Sequence, residues 1–454
     1  MPAPQSIFLD FRLPNATTWF YFSFLLAVAL FFKFTRLLSV RNWDVVSLFL
    51  LVPGLLLIQQ AHLTAPVTSE PLDASRRLLW FGYLWLMLGS GYFLVRCLFD
   101  LALESRPSLQ PNLNPSGLAW LAGALFVCLV SVAIRQQEGA PETVGKGPAA
   151  LEQAQHQLEV LVDQRTNAAD MMPGFDTQFW VRCSLAVVCH LAVVVGLVFI
   201  GYWHYQDTHA GMAAATFYLL LPYTALHVGQ WHHVLPSALL IWAVAAYRRP
   251  VLAGLLVGLA AGAVYFPALV FPLWFSFYWR RGAGRFAGAF FLAAGLTLAV
   301  TCTVLWFQGE LTQSLRTLLA LSDWQPWKTP TTEGFWLWIH GTGVHWAYRI
   351  PVFIGYLAFI LTTGFWPAPK NLAHVLALSA AVFIGIQFWY AVQGGVYVLW
   401  YLPLLLLLAF RPNLGDRRPA VIVPETDWLA RLGRALGRAT TWLIRGPEPL
   451  ARIR

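Results

Sequence analysis

The sequence predicts an all-α membrane protein, a polytopic bundle of transmembrane helices, and two observations predict it. Hydrophobic residues make up 58% of the 454 residues while only 11% are charged, against roughly 25% charged residues in soluble domains. A helix needs about 20 apolar residues to cross a bilayer, and apolar segments that approach this length recur along the whole chain. A water-soluble fold of this length could not hide so much apolar surface, whereas a bilayer accepts it.

About thirteen apolar segments are candidate spans. Segments 250–264 and 266–279 are both short, and basic residues bound the pair on each side. We expect them to form a hairpin that turns at Tyr265-Phe266-Pro267, because proline disfavours helix at the residue before it. The candidate spans are 18–33, 44–60, 78–97, 117–134, 183–202, 211–226, 234–247, 250–264, 266–279, 286–307, 350–366, 372–392 and 396–410.

The distribution of basic residues predicts how the chain is oriented. By the positive-inside rule, the loops richest in Lys and Arg are cytoplasmic. This places the N-terminus outside and the C-terminus in the cytoplasm, in a plasma membrane of the bacterial inner-membrane type. The net charge of +9 therefore predicts contact with membrane lipids and no nucleic-acid partner. The loops in question hold Lys33, Arg36, Arg41, Arg96, Arg106, Arg248, Arg249, Arg280, Arg281, Arg285 and Lys370.

Three regions are expected along the chain: an N-terminal transmembrane unit (1–110), a second transmembrane module (111–410) and a basic amphipathic cytoplasmic tail (411–454). The second module has two long outer loops, 135–181 and 308–349. The first contains Ala149–Thr166, where leucines at helical spacing predict an amphipathic helix near the membrane surface. The second is rich in tryptophan, which indicates either an interfacial belt or a sugar- or lipid-binding surface.

The main polar cluster beside a predicted span runs from His227 to His233. His227, Gln230, His232 and His233 could bind a phosphate or a sugar, and a turn with solvated imidazoles is the alternative. There is no HExxH pattern, no nearby carboxylate and no CxxC among the five cysteines, so the sequence predicts neither a metal site nor a cofactor. A divalent ion is the one cofactor that such a cluster could accommodate.

Asp176 is the candidate catalytic base. It lies at the outer end of the span that follows the first long loop, and transfer of a sugar to a hydroxyl gains from a carboxylate near the acceptor. A solvated loop residue is the alternative reading of the same position. Arg182, six residues further on, offers a positive charge for a phosphate. No P-loop, GxGxxG turn or GxSxG motif occurs, so a donor would be carried by a membrane lipid rather than a nucleotide.

The segment 217–290 carries a recognisable progression. Pro222 is followed by Gly229-Gln230, an apolar helix, Arg248-Arg249-Pro250 and then Ala-Gly-Leu-Leu-Val-Gly-Leu-Ala at 253–260; Pro267 and Arg280-Arg281 come after it. This resembles the polyprenyl-phosphate-mannose-dependent mannosyltransferases (family 87-like) of the GT-C glycosyltransferase superfamily. Gly394-Gly395-Val396-Tyr397 with Leu402-Pro403 resembles the last helix of that family.

The resemblance implies a GT-C-like fold and an enzyme that moves a sugar from a polyprenyl-phosphate donor to a lipid or cell-envelope acceptor on the outer face. That superfamily places a catalytic acid in the first outer loop, which matches Asp176 by position. Where family members commonly have a lysine before the hairpin proline, this chain has Val264-Tyr265-Phe266. Arg182, His227 or His232 would then supply the positive group for the donor phosphate.

Two other functions stay open at this point. A scaffold or assembly protein would use the loops and the tail as docking surfaces. A transporter or lipid flippase would need polar groups through the middle of the membrane, where His190 and scattered Ser and Thr are the main examples. His190 itself is expected to be a hydrogen-bonded core histidine.

Overall fold

The computed structural model describes residues 16–64, 73–103, 109–135, 149–166, 177–226, 228, 231–307, 327, 334–340, 345–390 and 398–421. Within these residues the regular elements are all helices, as expected. They are α1 (Ala16–Phe31), α2 (Val40–Ser47), α3 (Val52–Thr64), α4 (Asp73–Asp100), α5 (Pro115–Arg135), α6 (Ala149–Thr166), α7 (Thr177–Ile200), α8 (Thr208–Leu220), α9 (Pro222–Leu226), α10 (Trp231–Ala245), α11 (Pro250–Val264), α12 (Phe271–Phe277), α13 (Ala283–Phe307), α14 (Phe335–His340), α15 (Arg349–Phe365), α16 (Leu372–Trp389) and α17 (Val398–Phe410).

The lengths of these helices identify a membrane protein. Among the described residues, 6 stretches are long and apolar enough to cross a bilayer: Val40–Leu63, Ala74–Asp100, Pro115–Ile134, Thr177–Tyr205, Ala283–Thr303 and Leu372–Trp389. Shorter apolar helices, of 10–17 residues, coincide with six more of the segments predicted to span. Because a helix rises about 1.5 Å per residue, these fall short of the hydrocarbon thickness on their own. Thirteen crossings therefore remain a prediction.

The predicted hairpin turn is confirmed. Helix α11 ends at Val264, and Tyr265 adopts a positive φ of 64° before a 3-10 turn over Phe266–Val270 leads into α12. The Phe266 ring lies 5.4 Å from that of Tyr390, at the end of α16. On the return, the Tyr278 hydroxyl donates to the Tyr247 carbonyl (2.7 Å). The hairpin thus begins and ends at the same end of the bundle.

Glycines let α11 and α13 pack in backbone contact. A Cβ on Gly254 would lie 2.4 Å from the Phe286 carbonyl oxygen, and one on Gly258 would lie 2.4 Å from that of Phe290. One turn further, a Cβ on Gly262 would also be too close to α13, where it would meet the side chain of Thr297. Small residues four apart are the usual device for close packing of membrane helices. The Ala-Gly-Leu-x-x-Gly-Leu-Ala progression therefore has a packing role in this chain.

One end of the bundle gathers the basic loops, and we call it the arginine end. It carries Lys33, Arg96, Arg248, Arg281, Lys370 and Arg411, so the loops predicted to share a side do share one. Hydrogen bonds between segments that are distant in sequence close this end. They join Lys33 Nζ to Asn112 Oδ1 (2.9 Å), His209 Nε2 to the Leu113 carbonyl (2.9 Å), His204 Nε2 to the Ala245 carbonyl (2.7 Å), Lys370 Nζ to Ser276 Oγ (2.8 Å) and Arg281 to the Pro419 carbonyl.

Buried charges tie the first helices to the last one at this end. Arg411 Nε donates to Asp100 Oδ2 (3.0 Å), and both side chains are almost fully buried, at 1% and 0% exposure. Arg96, one turn before Asp100, holds Asp44 of α2 through Nε and Nη2. Removing one member of such a buried pair leaves an uncompensated charge. This network therefore joins the predicted unit 1–110 to Arg411, the first residue of the predicted tail, and residues 411–421 pack onto the bundle.

Candidate functional site

The opposite end of the bundle carries the start of α10, with His232 and His233, and we call it the histidine end. Helix α6, predicted over Ala149–Thr166, is confirmed with those bounds and lies against this end. It contacts α7 and α13 as well. The first long loop and the histidine segment, which are far apart in sequence, therefore belong to one region.

Helix α6 turns a polar side toward the bundle. The buried Gln155 accepts at Oε1 a hydrogen bond from the indole Nε1 of Trp231, the first residue of α10 (2.9 Å). Leu158 and Leu161, on other sides of the helix, are 41% and 53% exposed. A helix lying on a membrane surface directs its leucines toward lipid. Gln155 and Glu159 are then left facing the protein.

Glu159 is the carboxylate on that inward side. Gln155 Nε2 donates to Glu159 Oε1 (2.7 Å), and the Glu159 side chain is only 13% exposed. Its other oxygen lies 3.6 Å from Nδ1 of the exposed His156. A hydrogen-bonded chain thus runs from Trp231 through Gln155 to Glu159, which holds one carboxylate beside the start of α10.

Asp176 lies outside the described residues, but its chain neighbour is placed. Thr177 is the first residue of α7, and its hydroxyl donates to Asp163 Oδ1 (2.6 Å). Asp163 is eight residues beyond Gln155 on α6, or about 12 Å along the helix axis. The end of α6 is thereby attached to the residue that follows Asp176.

The predicted histidine cluster is described in part. His232 and His233 lie in the first turn of α10 with ring centroids 4.1 Å apart, and His233 is buried. Since they follow Trp231 directly, they lie next to the residue that binds Gln155. His227 and Gln230, the other two predicted binding residues, lie outside the described residues.

Arg182 lies in the second turn of α7 and is partly buried. Helix α7 packs against α10 and contacts α6. Within the described part of the chain Arg182 makes no hydrogen bond or ion pair. A cation near an apolar surface and without an acidic partner favours binding of an anion such as a phosphate.

Only part of the aromatic loop 308–349 is described. The indole of Trp336 is buried and donates to the Phe388 carbonyl at the end of α16 (2.9 Å), which gives this tryptophan a packing role. Trp327 is 57% exposed. Trp336 thus serves neither an interfacial belt nor a binding surface, and Trp327 is compatible with both interpretations of the loop.

His190, in the middle of α7, is a core histidine as expected. It is fully buried, and its Nδ1 lies 2.8 Å from the Tyr218 hydroxyl. Among the described residues no cluster of three or more His, Cys, Asp or Glu side chains could hold a metal ion. The groups that gather at the histidine end are suited to binding an anion and accepting a proton.

No known protein family, curated protein or solved structure matches this chain. The resemblance to the mannosyltransferases therefore stays an expectation drawn from short motifs.

Sequence reasoning missed Gln155 and Glu159. Their spacing of four residues places them on one side of α6, roughly 5–6 Å apart at Cβ. The leucines of α6 were the visible signal, and they predicted which side meets lipid. The opposite side of the same helix carries the candidate site residues.

Proposed function

We propose that this protein is a membrane glycosyltransferase that moves a sugar from a polyprenyl-phosphate donor to a hydroxyl of a lipid or cell-envelope acceptor. In this proposal residues 111–410 form the GT-C-like catalytic module, and the histidine end faces the non-cytoplasmic side. One observation carries the proposal: the polar side of α6, with Gln155 and Glu159, lies against the histidine-bearing start of α10.

The chemistry needs two kinds of group, and the proposal assigns both to the histidine end. The acceptor oxygen attacks the anomeric carbon of the sugar, the bond from that carbon to the phosphate oxygen breaks, and polyprenyl phosphate leaves. A carboxylate takes the hydroxyl proton, and positively charged or hydrogen-bonding groups stabilise the leaving phosphate. Asp176 and Glu159 are the two carboxylates for the first role. Arg182, His227, Gln230, His232 and His233 serve the second.

A lipid-borne donor fits both the sequence and the location of these groups. The chain lacks nucleotide-binding motifs, and the exposed leucines of α6 border the same region as its polar side. A long polyprenyl chain can remain in the bilayer while its phosphate and sugar enter between α6 and the start of α10. In this proposal, membrane lipids surround the helices and also supply the donor.

The test is transfer of radiolabelled sugar from polyprenyl-phosphate mannose and related donors by the purified protein in liposomes. We expect Asp176→Asn or Glu159→Gln to lower the rate by roughly 10²–10⁴-fold, the usual contribution of a positioned base. Asp416→Asn, the same change at an exposed carboxylate of the arginine end, is the matched control and should retain the wild-type rate.

Three outcomes separate the possibilities. A large loss in one carboxylate variant assigns the base to that residue. Full activity in both variants overturns the role given to these carboxylates. If the intact, folded wild-type protein transfers no sugar from any polyprenyl-phosphate donor, the enzyme proposal fails and a scaffold or transport role takes its place.

A further inference from the structure

The arginine end contains an open cleft that the proposed transferase does not use. It has a volume of about 520 Å³ and lies between the turn and start of α2 and the last turns of α4. Leu38, Trp43, Phe99 and Leu103 supply its apolar walls, and Tyr92 and Arg96 lie on the α4 side. A volume of this size is within the range of small-molecule binding sites, about 300–1,000 Å³.

The apolar walls are unusually exposed for one small region. Leu38 is 100% exposed, Phe99 65% and Trp43 60%. In a membrane protein, such side chains at the level of the basic loops meet the boundary between head groups and acyl chains. The walls thus suit the glycerol and upper acyl region of a lipid.

The rim of the cleft is basic. Arg36 immediately precedes the lining segment, is exposed, and its side chain makes no hydrogen bond or ion pair among the described residues. Lys33 lies shortly before the same segment, and its Nζ donates to a neutral oxygen, Asn112 Oδ1, so this bond leaves its charge in place. Asp44, the acid of helix α2, is paired with Arg96. Charge at this rim favours an anionic occupant.

Tyr92 adds a hydrogen-bond donor. Within the described residues its hydroxyl is buried and has no partner, a state that a folded protein usually avoids. An oxygen of a bound ligand would satisfy it. The chain's own tail is a poor candidate for the occupant, because residues 411–454 carry nine arginines and thus the same sign of charge as the rim.

We infer that this cleft binds an anionic phospholipid, with the phosphate near Arg36 and Lys33 and an acyl chain along Trp43 and Phe99. The site is separate from the histidine end, so its existence does not depend on the glycosyltransferase activity. Its specificity comes from the pairing of a basic rim with an apolar groove, since the head group needs the first and the acyl chain needs the second.

The experiment compares retention of phosphatidylglycerol and phosphatidylcholine with identical acyl chains by the detergent-purified full-length protein, using native mass spectrometry. We expect phosphatidylglycerol to be preferred, and the variant Arg36→Gln/Trp43→Ala to lose most of that preference. Loss of one basic residue near a membrane surface corresponds to roughly fivefold weaker binding. Arg36→Lys, which keeps the charge, should keep the preference and shows that the fold tolerates change there.

The matched control is Arg249→Gln/Trp279→Ala, which removes one exposed arginine and one exposed tryptophan from the same end, away from the cleft. It should bind phosphatidylglycerol as the wild type does. Equal binding of the two lipids, or an equal loss in the two double variants, would overturn the proposed site and leave only general attraction between a basic surface and anionic lipid.

Discussion

The two ends of the bundle use polar residues in opposite ways. At the arginine end, Asp100 and Arg411 are buried against each other, and hydrogen bonds join one loop to the next. At the histidine end, α6 lies against the start of α10 and turns Gln155 and Glu159 toward it. Among the described residues, the polar contacts of the arginine end thus cross-link the helix ends, whereas those of α6 place an amide and a carboxylate beside the start of α10.

This difference distinguishes polar residues that stabilise the fold from polar residues that serve a function. Charges that are buried and paired hold helices together but leave little capacity to bind a ligand. Glu159 is partly buried and accepts a hydrogen bond from the neutral Gln155, so it keeps capacity to bind a ligand or accept a proton, as expected of a binding or catalytic site. Four predictions test whether the ends divide their roles in this way, from the largest expected effect to the smallest.

Arg411→Met should have the largest effect on stability. It removes the cation that donates to Asp100 Oδ2 and leaves Arg96, 3.9 Å from Oδ1, beside this buried carboxylate, and breaking a buried pair costs about 3–5 kcal/mol of the free energy of unfolding. Denaturant or thermal unfolding in detergent measures the loss. Arg418→Met, at an exposed arginine nearby, should change stability by about 0.5 kcal/mol or less, and Asp100→Leu/Arg411→Met should recover most of the loss. Unchanged stability in Arg411→Met would contradict a structural role for this end.

Gly258→Leu should disrupt the contact between α11 and α13 that runs between the two ends. The new side chain meets the Phe290 carbonyl, and overpacking of this kind costs typically about 1–3 kcal/mol. Gly295→Leu on α13 is the matched control, because a Cβ there has no neighbour within 4 Å. If both variants lose the same stability, the close packing of α11 on α13 is not what the glycines provide.

Gln155→Leu should loosen the cover of the histidine end without unfolding the bundle. It leaves the buried indole N–H of Trp231 without its acceptor, at a cost of roughly 1–3 kcal/mol confined to the docking of α6. Faster hydrogen exchange in α6, with unchanged exchange in α16, is the expected result. Gln157→Leu, at an exposed position of the same helix, should leave exchange unchanged. Global destabilisation by Gln155→Leu would show that the two ends are equally structural.

Lys370 should give a small pH dependence of stability at the arginine end. Burial lowers the pKa of Lys370, in the linker between α15 and α16, to about 8. Between this value and the ordinary value of 10.5, the unfolded chain binds more protons than the folded one, so this residue makes stability rise with pH over that window. Thermal unfolding from pH 7.5 to 10.5 should show a shallower rise in Lys370→Met. Identical pH profiles would contradict the burial of a titrating amine.

Much of the fold could be predicted from residues close together in sequence. The turn at Tyr265-Phe266-Pro267 follows from a proline after a short apolar helix, and the bounds of α6 follow from leucine spacing. Only part of the candidate site could be predicted. His232 and His233 are recognisable in the sequence as polar residues at the edge of an apolar segment. Glu159 is identified only by the tertiary structure, in which its partner Gln155 is bonded to Trp231, 76 residues away.

Composition and periodicity determined by themselves that the chain is helical and enters a membrane, because burying apolar surface in lipid depends on how many apolar residues occur in a row. They also determined that the basic loops share one end. Only the tertiary structure decided that Asp100 meets Arg411 and that the polar side of α6 rests on the start of α10. Such pairings depend on which helices become neighbours, and neighbours are chosen by the packing of surfaces distant in sequence, such as the glycines of α11 against the backbone of α13.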